Sequence, residues 1–590
     1  LDNFANMVKI LSEMSPKVRM LALAAIFLVA ACMYPEAERY GYGIKDMAPD
    51  LSFEQSGVVE ISEGNTVSLT IRKSMPVYSA TVRLVPFNDK ELANVGYRGL
   101  APGQCSYPEE VFIGENNDSV EIEVCFDITE SFVSNRKYAV GFHLVSDNEK
   151  LPASADGSDI IIHISAKTGS ALNPHKLQTP EDLMSMSSLL QTYAYQPVCF
   201  RLMNDIDMSG YSWIPLDPTG ERPIFFEGGG HTISNLTCVA TPSSIIEAPS
   251  FFAYLWGTCQ NVTFKNPKIV SYYKKTGVVA GTVGLVGWGR DHDGHLKNVH
   301  VVGGSVVHYV NNTWVGWTGQ AGGLAGELCH SGSTIEGCSS SASVKSDYCA
   351  GGIVGQANDA SLIDCCEFTG TVSAGSTVAK GNALEEVFLD PSGHGTNIKW
   401  GIAGGIVAIA YNVALTNCKS SGVVRNTDSS YGFAGGIVGM AYMGVNAVEN
   451  SISTARVAGA ENAGGIIGTN GNYKSGGNYI RGCIAWNSSV ESLKHYPGRI
   501  CGLMSSNKTG GKASYGENCY AKQGMSLRYM NGEFTLSSQT INATDQMNTE
   551  SGPQYYQGIE SSDVIATARD KLGWDSAKWD FSGNEPELIL

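Results

Sequence analysis

A six-residue element, Ala-Gly-Gly-Ile-Val-Gly, recurs along this chain and constrains its fold more than any other feature. It reads AGGLAG at 321–326, AGGIVG at 350–355, AGGIVA at 403–408, AGGIVG at 434–439 and AGGIIG at 463–468, at intervals of 29, 53, 31 and 29 residues. Near-copies at a nearly constant period mean that one short unit is stacked repeatedly, with a large insertion in one copy. Such a chain forms a solenoid, and repeats of this kind specify a scaffold before they specify any chemistry.

A second register keeps the same period. Each hexapeptide is followed, 10 to 15 residues after its second glycine, by an apolar-x-x-Cys type tetrad: Ile335–Cys338, Leu362–Cys365, Leu415–Cys418, Val448–Ser451 and Ile480–Cys483. Degenerate copies lie at Cys259–Val262 and Leu296–Val299. Each unit therefore reads as two short strands separated by polar turns, with no helical period between them. A parallel β-helix meets this pattern, its coils about 4.8 Å apart and equivalent residues stacked. The Gly-Gly pair then marks a sharp turn, a positive φ, or a place where a side chain would strike the next coil. The following Ile or Leu enters an internal aliphatic ladder. Cys338, Cys365, Cys418 and Cys483 share one repeat column with Val and Ser, as small interior residues would, and no Cys-x-x-Cys pair points to a metal.

The 590 residues exceed one compact core but suit a solenoid plus an accessory domain. Glycine is abundant at 68 residues and charged residues make up only 16%, as in turn-dense β proteins. A formal net charge of −17 argues against nucleic acid or an anionic membrane as a partner, since both need clustered Lys and Arg.

Lys17 and Arg19 precede an apolar run, Met20–Ala31, too short to span a bilayer and instead reading as a signal-peptide core. It ends in Leu28-Val29-Ala30-Ala31-Cys32, which resembles the bacterial lipobox. The resemblance implies removal of residues 1–31, lipidation of Cys32, and a cell-envelope protein anchored in the outer membrane and displayed at the surface. An ordinary A-x-A signal-peptidase site, or a buried helix with an incidental cysteine, is the alternative. Residues 32–52, with Pro35 and Pro49, read as a lipidated tether.

Residues 53–167 lack the glycine repeat. Val67–Ile71, Thr81–Val85, Val120–Phe126, Tyr138–Leu144 and Ile160–Ile164 alternate as half-buried antiparallel strands, predicting a β-sandwich. Cys125 faces outward with the glutamates, placed either to pair with Cys105 or to remain a free thiol. The segment resembles the Ig-like domain of unknown function at the start of many Bacteroidetes surface lipoproteins, on Tyr97–Pro102, Tyr107–Val111 and Tyr138–Leu144. A linker spans 168–176. Thr179-Pro180-Glu181-Asp182 then opens an amphipathic helix carrying Leu183, Met186, Leu189 and Leu190 on one face, predicted to cap the first coil.

Beyond the cap come Asn204-Asp205-Ile206-Asp207, Trp213-Ile214-Pro215 and Gly230-His231-Thr232-Ile233-Ser234-Asn235-Leu236. This order, with the Gly-Gly-Ile-Val-Gly repeats, resembles the first coils of GLUG-motif proteins, over about 177–590. It implies an all-β chain: a β-helix over 177–510, then C-terminal coils and a cap over 511–590, closing through Trp574 and Trp579. It further implies a cell-surface protein, found among adhesins and as a non-catalytic region of large surface proteases. GLUG-bearing immunoglobulin A proteases carry a zinc motif H-E-x-x-H, which none of the eleven histidines forms.

Function must then lie where the repeat is interrupted. Trp288, Asp291 and Asp293, with Tyr309, Trp314 and Trp317, fall in loops of neighbouring early coils, and insertions at equivalent positions of a solenoid gather on one face. Indoles beside carboxylates suit sugar rings; shielding of the coil edge or filling of the core is the plainer role. The insertion at about 375–399, ending before Trp400, is a second candidate surface. No cofactor or metal is required, and calcium is the ion that the Asp291–Asp293 turn would suit. Ser119 and Ser576 sit in Asp-Ser-aliphatic triplets that resemble the O-glycosylation acceptors of Bacteroidetes.

The sequence thus predicts a non-catalytic surface lipoprotein that binds glycan or a protein partner through β-helix loops. The competing expectation is a polysaccharide-degrading β-helix enzyme. Gly393-His394-Gly395 and Asn426-Thr427-Asp428 resemble two polygalacturonase motifs, but in reversed order and without the family's Asp-Asp pair or Arg-Ile-Lys.

Overall fold

The structure, a computed structural model, describes residues 49–590 except 56, 62–64, 128–136, 166–168, 193–196, 218–222, 242–247, 273–274, 285–291, 310–319, 360, 376–399, 427–430, 443, 445, 471–477, 494–496, 505–514, 530–531, 534–545 and 549–553. The chain is all-β and divides into two units, Leu1–Lys167 and Thr168–Leu590.

The first unit is a two-sheet sandwich. One sheet pairs Leu51–Phe53, Thr66–Lys73, Ser119–Phe126 and Cys105–Ser106 antiparallel. The other contains Gly57–Ile61, Asp159–Ile164, Tyr138–Ser146, Ala80–Pro86 and Glu110–Ile113. Strict alternation sends Leu69, Ile71, Ile122, Val124, Ile160 and Ile162 into the core. Cys105 and Cys125 are free thiols; burial, then the neighbouring Cys125, pushes the Cys105 thiol up to about 12. A short helix, Asp89–Asn94 (α1), is an addition to the expected strands, and its signal is local: Asn88 and Glu91 form a capping box. Lys73 is buried at a strand end, where its ammonium donates to the carbonyls of Tyr78, Gly114 and Glu115 at 3.1, 2.9 and 2.8 Å. Three acceptors replace the water lost on burial.

The second unit is a parallel β-helix. A coil contains five short strands rather than two, typified by Thr334–Glu336, Ser339–Ser340, Ser343–Ser346, Cys349–Gly351 and Val354–Ala357. In the central coils the first two strands build sheet I, the third sheet II, the fourth sheet III and the fifth sheet IV, while in two earlier coils one long strand, Gly257–Lys265 or Gly294–Val302, replaces the first two. The hexapeptide lies across the junction from III to IV, and the tetrad lies in sheet I. Ile335, Ile363, Leu415, Val448 and Ile480 stack in register as a fully buried ladder.

That register corrects one cysteine. Ile363, not Leu362, occupies the aliphatic column, so Cys366 stacks with Cys338, Cys418 and Cys483, while Cys365 falls one position earlier. There it takes φ +51°, in a column of left-handed residues that is otherwise Asn or Gly, including Gly337, Asn417, Asn450 and Gly482. Leu362 and Ile363 are both apolar, which hid the one-residue slip.

The glycine pair is explained by close approach, not by positive φ. A Cβ on Gly351 would lie 1.8 Å from the Val354 carbonyl oxygen, and one on Gly352 2.0 Å from the Gly405 carbonyl of the next coil. Gly323, Gly405 and Gly436 meet the following coil in the same way, each also facing an inward serine: Ser340, Ser420 or Ser453. The tight III–IV junction also folds Cys349, Ile402 and Phe433 against Ile409 and Met440 in a second, smaller apolar cluster beside the main core.

The ends are closed differently. Helix α2 (Pro180–Thr192) begins with the expected cap, Asp182 N donating to Thr179 Oγ1 and the Gln178 and Thr179 N–H groups to the Asp182 carboxylate. Leu183, Met186 and Leu190 are buried in the β-helix core. At the far end Gln546–Asn548 pairs antiparallel with Tyr515–Glu517 and Gln554–Tyr556 with Cys501–Met504, while Ile559–Ser561 adds the last parallel strand of sheet I. The tryptophan segment expected to close the end instead lies along the flank of sheet I. Trp574 Nε1 donates to Gly482 O at 3.1 Å, Trp579 packs beside Asn417, Lys578 Nζ reaches Asp364 at 2.7 Å, and Lys419 pairs with Glu587. The cause is an apolar pair on the outer face of sheet I, Ile452 and Ile484, which Trp574, Trp579 and Val564 cover.

Candidate functional site

In a stacked coil, two loops lie side by side only when they join the same two sheets. Residues 309–319 and 375–399 both lead from sheet II to sheet III, two coils apart, from His308 to Gln320 and from Ala374 to Trp400. The intervening coil crosses the same corner through Asp347 and Tyr348. With adjacent strands about 4.8 Å apart, the two insertions leave the helix about 10 Å from each other.

Sheet II aims the residues at this corner. Ser271, His308 and Ser346 end its successive strands in register, so Tyr272, Tyr309 and Asp347 follow as a stacked trio. Tyr309 N donates to Ser271 O at 2.8 Å, and the Tyr309 ring lies on Tyr272 with centroids 4.9 Å apart and planes 22° apart. Asp347 N donates to His308 O, and His308 Nδ1 lies 3.2 Å from Ser346 Oγ. Tyr272 and Asp347 are buried and Tyr309 half-buried, leaving the upper ring of the stack accessible. Burial, then Tyr309 and Asp347, raises the Tyr272 hydroxyl well above its ordinary value, so the Tyr272 ring stays a neutral phenol. A neutral aromatic stack is a surface on which the apolar face of a sugar or a planar side chain packs.

Trp400 begins the sheet III strand Trp400–Gly404, in register with Tyr431 of the next coil. Trp314 and Trp317 lie outside the described residues, as do His394 and Asp428; their segments are anchored at this corner on both sides.

Trp288, Asp291 and Asp293 belong elsewhere, which corrects the expectation of one shared face. Their segment joins sheet IV to sheet I, between Val283 and Gly294, a different corner of the coil. Trp288 and Asp291 lie outside the described residues. Asp293 holds neighbouring turns together: its carbonyl accepts from Gly257 N, its carboxylate pairs with His330 Nδ1, and it packs so closely on Gly332 that a Cβ there would lie 2.3 Å away. His292 stands edge-on to Trp256, centroids 4.8 Å apart. Among the described residues no three His, Cys, Asp or Glu side chains converge as a metal site. His231 bonds Asp205 of the preceding coil at 3.3 Å, a turn-bracing role.

Ser119 opens the strand Ser119–Phe126 of the first unit and Ser576 lies in a turn after Asp575 in the second; both are exposed. Cys32 lies outside the described residues. Tyr272 and Asp347 are members of the corner that sequence reasoning passed over. Their signal was a shared frame, the residue just after each sheet II strand in KIVSY, SVVHY and SVKSD.

No protein-family model and no curated protein matches this chain. Among solved structures it is similar to a candidate immunoglobulin A1 protease from Bacteroides ovatus, at 22% identity over 71% of this chain and 94% of that one, with a TM-score of 0.39. It is also similar to a candidate carbohydrate-binding protein from Bacteroides ovatus ATCC 8483, at 15% identity over 20% of this chain and 36% of that one, TM-score 0.18. A third is EndoBT-3987 of Bacteroides thetaiotamicron with Man5GlcNAc product, at 16% identity over 22% and 35% of the two chains, TM-score 0.16. This chain spans about a third of the length of the last two.

Proposed function

We propose that this protein is a non-catalytic, surface-displayed lipoprotein of the GLUG-motif kind, anchored through Cys32, that binds glycan at the corner between sheets II and III. One observation carries the reading: the two long insertions leave that same corner, two coils apart, beside the stacked Tyr272–Tyr309 pair. The insertion that starts at Tyr309 contains Trp314 and Trp317, and the other ends at Trp400. Indoles on such a base stack on sugar rings while neighbouring polar groups take their hydroxyls.

A glycan array probed with the full chain tests this. Binding that falls at least about tenfold in Tyr309→Ala and in the double variant Trp314→Ala/Trp317→Ala, but not in Trp288→Ala, supports it. Adhesion to cells without binding to any glycan assigns the corner to a protein ligand instead. Oligosaccharide released from a bound polysaccharide, and abolished by Asp428→Asn, overturns the non-catalytic reading. The anchor is tested by radiolabelled palmitate, incorporated by the wild-type chain in its host cell and not by Cys32→Ala.

A further inference from the structure

Sheet II has an outer face whose charge runs against that of the whole chain. On its nine parallel strands, alternate residues point outward in two registered columns. These columns carry Lys268, Lys345, Arg425, Arg456 and Arg528 against a single acid, Glu491. The chain as a whole has a formal charge of −17. Lys268, Arg425 and Arg456 are exposed, and no ion pair among the described residues engages them. The tenth strand, antiparallel, brings Glu533 opposite Arg528, which marks the end of the cationic row.

The spacing is as informative as the sign. Counting along the sheet, Lys268 is on the second strand, Lys345 on the fourth, Arg425 on the sixth, Arg456 on the seventh and Arg528 on the ninth. The steps between them are two, two, one and two strands, with Lys268 and Arg456 in one column and Lys345, Arg425 and Arg528 in the other. Two strands are about 10 Å, so the charges are spread over some 34 Å along the sheet. Between Lys268 and Arg456 in one column lie hydroxyls, Ser305, Ser343 and Thr371, and the other column opens with the half-buried aliphatic strip Val239, Val270 and Val307.

We infer that this face binds an extended acidic polysaccharide of the β-1,4-linked polyuronate class, laid along the helix axis. In such a ribbon, sugars alternate in facing, so carboxylates on one side recur once per disaccharide, about 10 Å, the two-strand step from Lys268 to Lys345, from Lys345 to Arg425 and from Arg456 to Arg528. Ring C–H faces pack on the valine strip and sugar hydroxyls meet the Ser/Thr column. An extended acidic peptide fits less well, since its same-side carboxylates recur at about 7 Å. Double-stranded nucleic acid and anionic bilayers carry far denser charge, which a chain of this net charge repels at long range. The inference concerns a face separate from the II–III corner and does not rest on glycan binding there.

The test is affinity electrophoresis of the full chain in gels containing polymannuronate, with neutral β-1,4-mannan as control. Retardation by the polyuronate alone is expected, weakening as salt rises. The triple variant Lys268→Gln/Arg425→Gln/Arg456→Gln should bind roughly tenfold more weakly, with an unchanged melting temperature because all three side chains are exposed. Removing three exposed cations of the first unit, Arg83→Gln/Lys90→Gln/Lys137→Gln, should leave binding as it was. Tyr309→Ala should also bind normally. Equal retardation by mannan, equal loss in the two triple variants, or no binding by the wild-type chain overturns the proposal. So does a cation-dependent attachment of the same face to anionic vesicles or to a second copy of the chain in the absence of polyuronate.

Discussion

Gly352 shows at the level of one residue why the hexapeptide is so uniform. Its backbone φ is ordinary, and what excludes a side chain is the Gly405 carbonyl 2.0 Å from where Cβ would lie, with the Phe368 ring at 2.3 Å. Neither neighbour can yield without displacing a coil. Gly352→Ala should therefore lower stability by at least about 2 kcal/mol, read as a shift of the urea midpoint, whereas Gly583→Ala, where φ is not positive and the nearest atom would lie 3.6 Å from Cβ, should cost less. An equal and small loss at both positions would show that coil spacing is not the constraint. The glycine repeat was legible as a sign of close approach; the left-handed column was not, because Asn, Gly and Cys365 share no side-chain chemistry. Only φ unites them.

Among the elements, the C-terminal segment departs most from what its sequence implied. Two tryptophans near a chain end read as an end cap, yet Trp574 and Trp579 are drawn to Ile452 and Ile484, an apolar pair on an outer face. Those isoleucines come from separate coils and have no neighbour relation in the sequence. Asp364 fastens the same segment. Burial pushes its carboxyl up, but hydrogen bonds from Asn417, Lys578 and Thr416 outweigh that and hold it below its ordinary value of 3.8. A depressed carboxyl contributes stability that is full above the ordinary value and is lost as pH falls through the folded one. Amide exchange over residues 575–588 should thus accelerate as pH drops below about 4, beyond the intrinsic rate change, and Asp364→Asn should remove that extra dependence. Retention of the full pH response in the Asn variant would sink the assignment. Helix α2 behaved as its sequence implied, because capping box and apolar face are both local.

For the whole molecule, each coil contacts only its neighbours, so the stack needs its apolar ends covered. Leu183, Met186 and Leu190 cover the first. The double change Leu183→Asp/Met186→Asp should yield oligomers that grow with concentration in light scattering, and a monodisperse variant melting like the wild type would contradict this role for α2. The amino-acid sequence by itself determined the repeat, the β class, the division near residue 168 and the alternation that fills both cores, because each follows from patterns within a few residues of one another. It also located the interruptions, near 310–319 and 376–399, where Trp314, Trp317 and Trp400 occur. Only the tertiary structure decided which of these share a corner, separating Trp288 and Asp293 from Tyr309, and which face of the helix is cationic. Those relations depend on which sheets a loop connects and on the register between coils, and stacking creates both from residues about thirty positions apart.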